Sequence, residues 1–443
     1  MKSLTARVAG LRLLPRVAPE ADPARSADRR PAPDCPPGSA PPRIDIPMRD
    51  ASPASGERAR HMARGRYLAR QEAWSTLADE IAAADLGRTA TTGGTPVARL
   101  LAEGAHADTL ENALAAVDRN DPTSARRIVH ALQDGIDGIG DRPHLVLIPG
   151  LAHLAVARAW EGRPGAPEPT PLRRDARAQH LESAQRLIDR HDPLEQDSPA
   201  LAALRCAVLD LQPRPASRVS DDYEDLIDLD PACFEHMRAF GRDLMPTRFG
   251  NWEKLDLEAR RTAGRSSDIW GTGAYAWVWF DVLATDPDAF DHVDAELFAE
   301  ALHDILERRP DQYTANLLAA YCGLTLSGAA QARSARARIA GCFDWIVQDH
   351  LREVHPDLWA LARPVPGVED LGISLRRGQV RALSTLGEHF ARHLARGRQV
   401  IFHEGGVELR PSGCASCPLA PCSALAFPKL VLAEDHPAGP TGA

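Results

Sequence analysis

The chain has 443 residues, 52 basic and 61 acidic side chains, a net charge of -9 at neutral pH and 44% hydrophobic residues. At about 100–200 residues per domain this length excludes one small module, and the balance of apolar and charged residues excludes a wholly disordered chain. The acidic net charge leaves no electrostatic footprint for a polyanion, so nucleic acid is not an expected partner.

No stretch reaches the ~18 uninterrupted apolar residues of a membrane-spanning helix, and no membrane association is expected. Arg7 and Arg12 place charge where the apolar stretch of a secretory leader would have to lie, and eight cysteines are too sparse for a disulfide scaffold. A reducing cytoplasm is therefore the expected compartment. Nearly all positive charge is arginine, since Lys2, Lys254 and Lys429 are the only lysines. The accompanying abundance of Ala, Gly and Pro reads as compositional bias.

Residues 15–58 carry eleven prolines and few large apolar side chains. Such a segment buries too little surface to offset its ordering entropy, so 1–58 is expected to be disordered, with a docking tail as the alternative. From His61 onward the spacing of Tyr67, Trp74, Leu77 and Ile81 is that of an amphipathic helix. Helices are expected over 62–86, 96–102, 107–118, 122–134, 143–160, 174–190, 199–211, 222–244, 252–263, 268–284, 293–308, 312–327, 330–353 and 374–396. The fold class is all-α. Asp121-Pro122, Asp192-Pro193, Asp230-Pro231 and Asp286-Pro287 each place an acceptor at N-cap and a ring without N–H at the first helical position, a helix-start signal.

The starts at 192 and 230 are 38 residues apart, which points to degenerate tetratricopeptide-like helical hairpins stacked as a solenoid, with a non-repeating bundle as the alternative. The Gly- and Pro-rich stretch 161–173 is the expected linker between a helical domain at 59–160 and a helical-repeat domain at 174–396. Residues 397–443 should form a short hairpin around Gly405-Gly406, a cysteine loop and a Pro-rich tail.

No Walker A loop, dinucleotide-binding Gly-x-Gly-x-x-Gly, Gly-x-Ser-x-Gly elbow or His-Glu-x-x-His helix occurs, so no catalytic residues are assigned. Two segments carry candidate chemistry. Between 245 and 281 lie four of the eight tryptophans. There Trp252, Trp270, Tyr275, Trp277 and Trp279, bordered by Arg248, Arg260 and Arg261, form either an inter-helix core or a groove that anchors a protein or peptide. Trp277 and Trp279 are two apart and cannot share a helix face, so one should be core and the other should face a neighbour or the groove.

The run Leu244-Met245-Pro246-Thr247-Arg248-Phe249-Gly250-Asn251-Trp252-Glu253 resembles the Pro-Arg-Trp-Gly-Gly-Ser-Tyr/Trp-Glu pattern of bacterial tetratricopeptide-like helical proteins of unknown function. The resemblance covers about residues 222–330, with Thr247 inserted, Phe249 in place of Trp and Asn251 in place of a small residue. It implies a helical-repeat fold and carries over no catalytic residue.

The second segment is Cys414-Ala415-Ser416-Cys417-Pro418-Leu419-Ala420-Pro421-Cys422. Two thiolates at C-x2-C spacing and a third nearby can share one zinc, with His403 as fourth ligand and His389 or His393 as fallback donors. The flanking prolines also suit an iron–sulfur cluster, and unliganded thiols on a tail are the remaining reading. The expected function is a cytoplasmic helical-repeat scaffold or adaptor that binds a protein or peptide near 245–281. The alternative is an enzyme or a redox- or metal-dependent sensor that uses the C-terminal cysteines. A scaffold should show an aromatic groove, whereas an enzyme should bring carboxylates, His or Cys together in a pocket.

Overall fold

The structure, a computed structural model, describes residues 43–140, 142–162, 168–328, 330–362 and 374–411. Helices make up most of these residues, and the regular sheet among them is a single three-stranded one. No helix among the described residues is long and apolar enough to cross a membrane.

Local chemistry accounts for where the helices begin and end. Asp121 accepts the Ser124 N–H at 3.0 Å and starts the helix Pro122–Asp137, and Asp286 caps the 3-10 turn Pro287–Asp291 in the same way. Asp192-Pro193 opens a turn instead, and the helix after it starts at Ser198, which caps Pro199–Ala207. Glu72 adopts a positive φ of 52°, so the expected helix 62–86 is two, Pro53–Arg70 and Trp74–Leu86. The Tyr67-to-Trp74 spacing spans that break, and Tyr67 is 56% exposed. Conversely, 96–102 and 107–118 are one helix, Val97–Asp118. The expected helix 222–244 is interrupted by Asp230-Pro231, giving Pro215–Leu229 and Phe234–Asp243.

Of the segment 1–58 expected to be disordered, residues 1–42 lie outside the described residues, and residues 43–58 are ordered. Ile44–Asp45 pairs in parallel with Val400–Ile401 in the strand Arg398–His403, which forms the expected hairpin with Gly406–Pro411. Val400 and Phe402 face the core. The chain then crosses residues 353–357: Val354 donates its N–H to Pro47 O at 2.8 Å, Arg49 donates its own to Val354 O at 3.0 Å, and Ser55 Oγ donates to Asp357 at 2.6 Å. Backbone pairing, which needs no large apolar side chain, orders a segment whose composition suggests disorder.

Helix Pro53–Arg70 crosses Val97–Asp118 at two glycines. A methyl group added at Gly65 would sit 2.0 Å from Leu101 O, and one added at Gly104 would sit 2.0 Å from Met62 O. Helix backbones approach this closely only where side chains are absent. Gly56, in the same helix, faces open space. Gly65→Ala should therefore lower stability by about 2 kcal/mol or more through overpacking, whereas Gly56→Ala should be neutral or raise it by up to ~1 kcal/mol through helix propensity. Urea denaturation of the two variants checks this. Equal effects would contradict the crossing.

Between helices Leu147–Glu161 and Pro171–Ile188, His153 Nδ1 and His180 Nδ1 share a hydrogen bond at 2.9 Å. At least one ring must be neutral for one nitrogen to accept. Burial, with neighbouring His180 and His130, holds His153 down at about 3, and burial, with His130, holds His180 at about 4. The unfolded chain takes up these protons near pH 6.5. It thus binds more protons than the native state below that pH, so the stability is complete above ~6.5 and is lost as pH falls towards the folded values. Urea midpoints should decrease between about pH 7 and pH 5, and less steeply in His153→Gln; an unchanged slope would contradict this assignment.

Candidate functional site

A cavity of about 1020 Å³ lies among helices Val97–Asp118, Leu147–Glu161, Pro199–Ala207, Pro215–Leu229 and Phe234–Asp243. That is the upper end of the ~300–1,000 Å³ usual for small-molecule sites. The floor is partly apolar, with Leu147, Leu151, Leu154, Leu204 and Leu226. Charged groups converge on it from helices distant in sequence.

Seven arginines line the cavity, and six of them are neutralised by carboxylates. Arg99 pairs with Glu103 at 2.7 Å and Glu235 at 3.4 Å. Glu235 also accepts from Thr95 Oγ1 at 2.7 Å. Arg177 meets Asp210 at 2.6 Å, and Arg248 bridges Asp210 at 3.0 Å and Asp243 at 3.2 Å. Arg238 and Arg242, one helical turn apart, both bind Asp281, Arg238 through Nη2 at 2.6 Å. Arg88 pairs with Asp197 and donates to Leu229 O at 3.0 Å. The two arginines hold the Asp281 carboxyl below the usual range despite its burial.

Arg158 is the exception. Its guanidinium makes no hydrogen bond or ion pair among the described residues, and the residue is exposed, on the lining of the cavity. Crowding by protein, followed by the charges of Arg99 and Arg242, pushes its pKa down. Glu103 and Glu161 offset this only in part, being engaged with Arg99 and Arg177. The cation thus has no counter-ion in contact.

The same wall carries buried groups of other kinds. His106, 3% exposed, leaves both ring nitrogens without hydrogen-bond partners, and burial holds it at about 4. The turn before helix Phe234–Asp243 presents Asp230, pushed up to about 6 by burial against the pull of Arg88, and the first turn of the helix presents His236, held at about 4 by burial and Arg99. Asp85, also on the wall, accepts from His144 Nε2 at 3.1 Å, the Ala200 N–H at 3.0 Å and Ser198 Oγ. It ties the end of helix Trp74–Leu86 to the start of Pro199–Ala207.

The residues singled out in the sequence are placed differently. Trp270, Tyr275, Trp277 and Trp279 are each 1% exposed or less. Trp277 and Trp279 lie on opposite faces of helix Gly273–Thr285, and both are buried against neighbouring elements, as the inter-helix core reading of this segment has it. Trp277 stacks on Phe234 at 4.5 Å, and half-buried Trp252 lies parallel to Trp279 at 6.3 Å. Arg260 pairs with Asp256 and Asp294, and Arg261 with Glu258. Of the expected groove residues, Arg248 lines the cavity. His403 ends its strand and accepts the Gly405 N–H at 3.1 Å, while Cys414, Cys417 and Cys422 lie outside the described residues. His389 pairs with Asp344 at 3.3 Å.

Apart from Arg248, the cavity residues escaped the sequence reading because many of their partners are distant in the chain, 33 positions for Arg177 and Asp210 and 136 for Arg99 and Glu235. One local signal was present: Asp230, Cys233 and His236 repeat at three-residue spacing. No family model, curated protein or solved structure matches the chain.

Asp281 tests the arginine framework. Replacing it with Asn leaves Arg238 and Arg242 without a counter-charge, which should cost about 2–3 kcal/mol, less than the ~3–5 of fully buried pairs because all three side chains touch solvent. Urea denaturation reads this directly, and a loss below ~0.5 kcal/mol would show that the pairs contribute no more than surface ones.

Proposed function

We propose that the chain binds a small organic anion, bearing a carboxylate or phosphate group, in this cavity, with Arg158 as its counter-charge. The observation that carries this reading is the single unpaired arginine among seven. A guanidinium presents a fork of donors that matches carboxylate and phosphate oxygens in pairs. Being always charged, it is available to an anion at any working pH. Its six paired neighbours are held by their acids, so the ligand would meet a preset frame. The apolar floor suits the organic part of such a ligand.

An adaptor that grips a peptide along 245–281 has less support, because the aromatic rings that would anchor the peptide are packed in the core. Carboxylates, histidines and arginines meeting in one pocket favour small-molecule recognition instead.

Melting temperatures measured against a panel of di- and tricarboxylates and sugar phosphates test the proposal. At least one class should raise the melting point of the wild-type chain by mass action. Arg158→Ala should weaken that ligand by about 10- to 100-fold, as loss of a charged hydrogen-bond partner does, and Arg158→Lys should recover part of it. If no member of the panel stabilises the protein, or if Arg158→Ala retains the full shift, the proposal fails.

A further inference from the structure

Beside the cavity, a carboxylate oxygen of Asp230, the Sγ of Cys233 and a ring nitrogen of His236 lie within 4.8 Å of one another. The three residues are 5%, 3% and 7% exposed. Nε2 of His236 is buried without a hydrogen-bond partner. The Cys233 thiol has only a long 3.6 Å contact to Gly94 O. The break at Asp230-Pro231 brings these groups together: Cys233 is the N-cap of helix Phe234–Asp243, and His236 lies one turn further on. We propose that Asp230, Cys233 and His236 form a binding site for one divalent zinc ion.

The donor set is the argument. Thiolate, imidazole and carboxylate together are ligands that zinc accepts, whereas calcium and magnesium take oxygen donors alone. Bond lengths of ~2.0–2.3 Å place donors on one tetrahedral ion roughly 3.5 Å apart, so the three groups need to close by about one ångström. Binding displaces the Cys233 thiol proton to solvent, leaving thiolate, carboxylate and neutral imidazole around the ion. The two anionic ligands cancel the two positive charges, so the buried centre is neutral and avoids the cost of an isolated charge.

The Cys233 N–H donates to the Asp230 main-chain O at 3.3 Å, which fixes the turn that carries both side chains. Asp230 and His236 line the cavity and Cys233 does not, so the fourth coordination position opens on the cavity. Three protein ligands with an open position are the arrangement of zinc sites that bind water or a substrate oxygen. This inference goes beyond the anion-binding reading: Arg158 is not a donor, and either proposal can fail without the other.

The test uses the full chain with Cys414, Cys417 and Cys422 replaced by Ser, which removes the other clustered thiols. After equilibration with zinc and dialysis, this parent should retain about one zinc per chain and melt at a higher temperature than its metal-free form. Cobalt in place of zinc should show thiolate-to-metal charge-transfer absorption. Cys233→Ser should lose the retained zinc and that absorption. Asp230→Asn and His236→Gln should lose the zinc-induced rise in melting temperature while their metal-free melting points stay near the parent's. Absence of retained zinc in the parent, zinc retained undiminished in Cys233→Ser, or cobalt bound without thiolate absorption would each overturn the proposal.

Discussion

An arginine cannot shed its charge in a protein, so each guanidinium brought to a concave surface must find an acid, a ligand or water. This constraint organises the cavity. Asp281 serves two arginines from helix Phe234–Asp243, Asp210 serves Arg177 and Arg248, and Glu235 and Glu103 share Arg99. The acids come from helices separate from most of their partners, so the same pairs that neutralise charge also fix the angles between helices. Where the pattern stops, at Arg158, a cation with no acid in contact meets accessible space.

The backbone makes that convergence reachable. Glycines at 65 and 104 let two helices cross at backbone distance, and Gly241 does the same against Val278, where an added Cβ would sit 1.8 Å from the carbonyl oxygen. The break at Asp230-Pro231 turns the chain so that Pro215–Leu229 and Phe234–Asp243 both face the cavity. The segment from residue 43 to Ser55 pairs with strand Arg398–His403 and crosses Val354 and Asp357. It thereby joins the first long helix to residues near the other end of the described chain, a closure that an open array of hairpins lacks.

Much of the secondary structure was legible in the sequence because its determinants are local. Apolar spacing gave helix type, Asp121 and Asp286 gave starts, and Gly405-Gly406 gave the hairpin turn. The split at Glu72 was hidden because the apolar spacing continues across it, and the ordered segment from residue 43 was hidden because backbone pairing leaves no apolar signature. Trp277 and Trp279 left core and groove open in the sequence for a physical reason: opposite faces of one helix are both buried only when neighbours enclose it, and the neighbours are set by the fold. The site was the least legible part. An unpaired arginine is defined by the absence of an acid within reach, and only the folded chain sets that reach.

The central claim is that Arg158 stands apart from the other cavity arginines. Nitrogen-15 NMR of the arginine Nε–H groups tests it most directly, with the Arg158 signal assigned by its loss in Arg158→Lys. The account predicts that the Arg158 Nε–H exchanges rapidly with water and shifts on titration with inorganic phosphate, while the Arg238 and Arg242 signals are protected and stay in place. A protected, phosphate-insensitive Arg158, or equal shifts at all three, would contradict it.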